Sequence, residues 1–303
     1  MKRAKGITMI VSGAMLWGAT GPMMEWILRT SDMSISFMLT VRLFLAGAFI
    51  LMMLKVRGKK ISLPWRQKVW ARQLILFGVF GMLGIQYTFV ASIDTSNAVI
   101  ATLFQFLAPI FLIVFVTATQ KKWPPIAQVL GMLVTLIGLF LLLTNGSLAG
   151  FALSKVAVLW GIALGFAFSF YTLYPVRLMQ EWGVLLSIGW GMVIAGTTLF
   201  FTNPMKIVTD MEYLVDWRMA TMLLLVIIVG TFAFILFMGS MKYITPVETS
   251  ILSSFEPLTA MVISVIWFGQ VLGMWQLTGS VIMLIGVTWL SIAGNKKLES
   301  DGR

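Results

Sequence analysis

The chain can draw on few side chains for chemistry. Its 303 residues include no His, no Cys and only 11 acidic residues. No imidazole base, thiolate nucleophile, Cys/His zinc site or iron–sulfur site can be built from such a set. Neither a metal nor a cofactor is expected. A group that exchanges protons near neutral pH would have to be a carboxylate in an unusual environment. Among the ionisable residues in or at the ends of long apolar runs, Arg42, Glu248 and Glu256 stand out. Placing a charge inside a membrane span costs about 2.5–3.5 kcal/mol on insertion scales, so such residues are functional candidates by default.

Glu256 directly precedes Pro257. Proline lacks a backbone donor and frees the carbonyl one turn before it. Pro109 stands in the corresponding place in the first half of the chain. Paired helix interruptions of this kind point to a binding site near the bilayer midplane. Glu256 can therefore face a cavity, where it would bind an amine or accept a proton. The alternative is a structural carboxylate bonded to a Ser or Thr of a neighbouring helix. Arg42 has two readings as well, an anchor for a substrate carboxylate or the partner of Glu25 in an ion pair. Glu248, close to Lys242, reads as interfacial.

Neutral polar residues are sparse enough in these runs to matter. Gln86, Tyr87, Asn97, Gln105, Tyr171 and Ser253 are the candidates. Ser253 lies one helical turn before Glu256, and Gln105 one turn before Pro109, so the two halves could present facing polar groups across a cavity. Trp17, Phe166, Phe168, Phe170 and Tyr171 lie deep in their runs and could line an aromatic pocket. Ordinary helix packing is the alternative for each.

These residues have to be positioned by elements that live in a membrane. Charged residues make up 11% of the chain, against roughly 25% in soluble domains. Apolar runs near the 20 residues that span a bilayer recur at 7–27, 34–54, 73–93, 96–116, 126–144, 156–176, 184–202, 219–240, 246–268 and 273–293. Ten spans with alternating loops place 17 of the 22 Lys and Arg residues on the side of the N-terminus and four on the other, with Arg42 inside a span. That bias predicts both termini in the cytoplasm. It also makes the formal charge of +11 a topology signal, with no nucleic-acid partner expected. Lys2, Arg3 and Lys5 precede an apolar run without a clean small-residue cleavage motif, so a retained first helix is predicted.

The sequence repeats on itself. At an offset of 148 residues, Gly13 meets Gly161, Pro109 meets Pro257, Gly131 meets Gly279, Gly138 meets Gly286, and Gln105 meets Ser253. This divides the chain into five-span repeats at 1–148 and 149–303. An odd number of spans puts the second repeat into the membrane upside down, an architecture suited to alternating access.

Several segments resemble the EamA-type proteins of the drug/metabolite transporter superfamily. They are residues 245–260, reading Thr-Pro-Val-Glu-Thr-Ser-Ile-Leu-Ser-Ser-Phe-Glu-Pro-Leu-Thr-Ala, then Phe268-Gly-Gln, Gly279 to Gly286, Gly13 to Gly18, and Arg42-Leu-Phe. The resemblance implies an all-α, ten-helix carrier that moves small metabolites or amino-acid-like solutes, often outward, in the inner (cytoplasmic) membrane. It further implies that spans one, three, four, six, eight and nine line the path. Spans five and ten would sit at the periphery, packed through Gly138 and Gly286, and offer a homodimer contact. One departure stands out, because the residue after Phe-Gly is commonly Glu in this family and here is Gln270, with Lys122 as its repeat mate. A lipid or lipid-linked-sugar translocase on the same fold is the alternative, and an intramembrane enzyme lacks a clustered set of reactive groups.

Overall fold

The computed structural model describes residues 2–108, 110–111, 114–115, 118, 126–147, 153–240, 243–244, 252–253 and 255–301. Pro109, Lys122, Lys242, Pro246 and Glu248 lie outside the described residues. Helices follow the apolar runs: α1 Lys2–Thr30, α2 Ile35–Val56, α3 Lys68–Thr95, α4 Ala98–Gln105, α5 Ile126–Thr144, α6 Lys155–Leu173, α7 Val184–Thr202, α8 Trp217–Ser240, α9 Phe255–Phe268 and α10 Met274–Asp301. No strand occurs among the described residues. Five of these helices (α1, α2, α3, α7 and α8) are long and apolar enough to cross a membrane unaided. Large apolar side chains also face outward, among them Phe201 at 74% exposure and Ile266 at 79%. Water would not tolerate such a surface, whereas acyl chains are as apolar as the side chains themselves.

Helix starts are set by short polar residues, as expected for backbone donors that have no intrahelical partner. Ser34 Oγ accepts from Phe37 N–H at 3.2 Å and Ser154 Oγ from Ala157 N–H at 3.1 Å. Asn97 Oδ1 accepts from Ile100 N–H at 2.9 Å, so the two-residue break after α3 is a cap for α4. Midway along α3, Phe77–Leu83 winds as a π-helix through Gly78 and Gly81, the kind of insertion that often accompanies functional sites.

Packing brings the two halves of the chain together. A circuit runs α1, α8, α2, α3, α6, α4, α9 and back to α1, each touching the next, and α1 also touches α3 and α4 across it. Met24, Phe37, Phe77 and Phe104 are fully buried at these contacts. Outside the circuit, α7 lies against α2 and the π-helical part of α3. α5 and α10 pack almost exclusively on one another. Their closeness depends on glycine. A Cβ on Gly286 would sit 2.6 Å from the backbone nitrogen of Thr135, and one on Gly138 would collide with the Met283 and Gly279 backbones.

Candidate functional site

Glu256 is 5% exposed and sits in the first turn of α9. Its N–H donates to the Ser253 carbonyl at 2.9 Å, closing the turn that leads into the helix. Pro257 lies where a helix begins, and there its missing N–H costs no intrahelical bond. A carboxylate in a first turn is also favoured by the helix dipole. The first half breaks at the matching place. α4 stops at Gln105, and the N–H groups of Phe106 and Leu107 donate at 3.0 Å to the carbonyls of Leu103 and Phe104 before helix resumes at Ala108. Ser169 of α6 donates its hydroxyl to the Ala108 carbonyl at 3.0 Å, satisfying backbone beside the break.

The two breaks meet through side chains. Gln105 Nε2 donates to Glu256 Oε1 at 3.4 Å, a long contact between groups 151 residues apart. On the other flank, Gly18 of α1 lies directly against the Glu256 carbonyl, where no Cβ would fit. Pro22, inside α1, removes the donor that Gly18's own carbonyl would otherwise accept. Sequence reasoning passed over Ser169 and Pro22. The spacing of Pro22 from Gly18 was the signal for the latter.

Arg42 is 6% exposed and lies where α1, α2, α3 and α8 converge. Its Nη1 donates to Gln86 Oε1 at 3.0 Å and to Met24 Sδ at 3.3 Å. A Cβ on Gly230 would stand 3.0 Å from Nη2 and 3.6 Å from the methyl of Thr20. The expected pair with Glu25 does not form. Met24 and Glu25 are neighbours in sequence but point about 100° apart around α1, so Arg42 reaches the first and misses the second. Arg42 and Glu256 also approach different faces of α1, one carrying Thr20 and Met24, the other carrying Gly18.

Glu25 is engaged elsewhere. It is 2% exposed, pairs with Arg29 at 2.6 Å, and accepts from Gln270 Nε2 at 2.6 Å and from Ala98 N–H at 2.8 Å. The carboxylate thereby caps α4 a second time, and it ties α1 to the segment after α9. Arg29 in turn stacks over the Phe268 ring at 5.0 Å. Gln270, noted above as a departure from the common Glu, is thus the amide donor of this cluster.

The aromatic candidates separate. Trp17 packs edge-on to Phe237 and Phe234 of α8, with centroids at 5.1 and 5.9 Å. Tyr171 is buried, stacked on Phe77 of α3 at 5.7 Å. Tyr87 meets Trp160 at 5.8 Å, and Phe166 is 63% exposed. Trp17 thus packs on α8 and Tyr171 on α3. Among the described residues, no group of three or more acidic side chains is placed to hold a metal ion.

Comparison with known proteins places this architecture. The EamA-like transporter family model matches residues 4–144 and 155–292. An uncharacterized inner membrane transporter, YicL, of Salmonella typhimurium is 31% identical over 297 residues, covering 98% of both chains. An uncharacterized transporter, YwfM, of Bacillus subtilis is 23% identical over 96% of this chain and 95% of its own. A third relative, an uncharacterized transporter of Archaeoglobus fulgidus, is 23% identical over 71% of this chain and 75% of its own. One solved crystal structure superposes with a TM-score of 0.61 at 14% identity, over 97% of this chain and 99% of that one, which is a likeness of fold.

Proposed function

The chain belongs to the EamA-like transporter family and is a multi-pass membrane transporter, and from that premise we propose that it carries small metabolites or amino-acid-like solutes by alternating access, with export as its direction. The carrier has ten spans, α1 to α10, arranged as inverted repeats at 1–148 and 149–303. It lies in the cytoplasmic membrane with both termini inside. Rocking of one repeat against the other exposes a central site alternately to each side.

The observation that carries this reading is the contact of Gln105 with Glu256. Each residue lies at a helix break, the breaks are 148 residues apart in register, and the two side chains meet between α4 and α9. Among the described residues a single donor at 3.4 Å leaves most of the acceptor capacity of the carboxylate for another group. Glu256 is thus placed to take a substrate amine or a proton, and α1, α3, α4, α6, α8 and α9 frame the path. Energy comes from a solute or ion gradient.

The test is reconstitution of the purified protein in liposomes, with uptake of a panel of labelled amino acids and metabolites measured with and without an imposed pH gradient. Saturable uptake of one solute class is expected, with gradient dependence that Glu256→Gln abolishes. Saturable uptake that ignores the gradient in both proteins would remove the proton role and leave a facilitator. Lipid movement without any soluble uptake would replace a solute carrier with a translocase.

A further inference from the structure

Among the described residues, Arg42 is a permanent charge without a counter-charge. A guanidinium stays protonated across the physiological range, and a buried charge costs several kcal/mol unless it is paired. Here the partners are an amide oxygen and a thioether, both on Nη1. The buried acids that could have neutralised it lie elsewhere: Glu25 is held by Arg29, Gln270 and Ala98, Asp210 by Lys206 and Ser34, and Glu256 approaches a different face of α1. Asp32, Asp94, Glu181, Glu212 and Asp216 are exposed. Nε and Nη2 make no hydrogen bond to a described residue, and neither is among the sealed, unpartnered polar atoms of the interior. That edge is the unsatisfied side of the guanidinium.

The two N–H groups left over are the pair that forms the side-on fork of a guanidinium, whose spacing matches the two oxygens of a carboxylate. α8 passes close to them, with Gly230 directly against Nη2. One cation is balanced by one carboxylate, whereas a phosphate would leave excess negative charge in the bundle. We propose that Arg42 is a substrate-binding residue that takes a monocarboxylate on its Nε/Nη2 edge, with Gln86 and Met24 holding the other side of the guanidinium. This rests on the carrier reading above and narrows its substrate class to solutes bearing a free carboxylate. Because Arg42 and Glu256 lie against different faces of α1, they would hold separate groups of one solute or act at successive stages of passage.

The test compares matched probes on the full-length protein in lipid nanodiscs. L-leucine and L-phenylalanine, their carboxamides and inorganic phosphate are titrated while intrinsic Trp fluorescence and thermal unfolding are followed. The carboxylates should bind at least about tenfold more tightly than their amides. Arg42→Lys, which keeps the charge but loses the fork, should narrow that preference. Gly230→Ala, which leaves Arg42 in place and puts a methyl against Nη2, should weaken carboxylate binding at least about fivefold. Both variants must retain the melting transition of the parent, and Gly230→Ala decides the matter should Arg42→Lys fail to fold. Phosphate binding with no response to either carboxylate would overturn the assignment, as would equal binding of acid and amide. Liposome transport separates the two readings. Uptake of neutral solutes with no carboxylate preference overturns the role of Arg42 and leaves the carrier standing. Carboxylate-selective binding that Gly230→Ala removes, without any transport, upholds the site and overturns the carrier.

Discussion

Glu25 and Glu256 are both buried carboxylates on helices within the membrane, yet their surroundings differ sharply. Glu25 holds a guanidinium, an amide and a backbone N–H, all within 2.8 Å. Glu256 holds one amide at 3.4 Å. A carboxylate offers about four acceptor sites. Three well-placed donors make Glu25 a fixture, which caps α4 and clamps α1 to the segment after α9. The single donor that the described residues give Glu256 leaves room for a further partner, as the proposed binding role requires. Residue type and burial are shared, so what sets the two carboxylates apart is the number and tightness of their partners among the described residues.

Four outcomes would break or sharpen that contrast. The largest effect is expected for Glu256→Gln, which should lower transport in liposomes at least about tenfold while moving the melting temperature little. Normal transport in that variant would make Glu256 a second structural carboxylate. The reverse pattern is expected for Glu25→Gln. Unfolding in detergent, followed by Trp fluorescence, should reveal about 2–3 kcal/mol of lost stability as its donors are left without a charged acceptor. Gln270→Glu tests the same clamp from the other side. It sets a second carboxylate against the first and should cost about 1–3 kcal/mol at neutral pH, with recovery on acidification, when a shared proton can take the place of the amide hydrogen.

The smallest effect is expected at the segment between α7 and α8. Asp210 accepts from Ser34 N–H at 2.9 Å and pairs with Lys206 at 2.8 Å. Burial alone would raise its pKa, but the bonds from Lys206 and Ser34 outweigh that and leave it below the usual 3.8. A lowered folded-state pKa means that Asp210 stabilises the fold fully above the ordinary aspartate value. The contribution is lost as pH falls through the lowered one. Asp210→Asn should therefore flatten the acid limb of the stability profile by about 1 kcal/mol and leave transport unchanged. A steeper limb in the variant would contradict this sign.

Much of the site was legible in advance because its signals are local or periodic. Pro257 beside Glu256, and the 148-residue register that relates Gln105 to Ser253, marked both helix breaks before any partner was known. The form of the break at Pro257 was not legible, because a proline reads alike whether it bends a helix or opens one. The pairing of Arg42 with Glu25 failed for a related reason. Both residues belong to the same end of the bundle, but a shared depth says nothing about which way each helix is turned.

The sequence by itself determined the membrane class and the positions of the long apolar helices. Hydrophobicity and periodicity are properties of consecutive residues, and lipid demands unbroken apolar runs whose backbone bonds close internally. Only the tertiary structure decided which polar groups meet: Glu25 with Gln270 across 245 residues, Arg42 with Gln86, and Gln105 with Glu256. A soluble helix announces its inward face by an apolar stripe, whereas these helices are apolar nearly all round, so their rotation is left to close packing at residues such as Gly18 and Gly138.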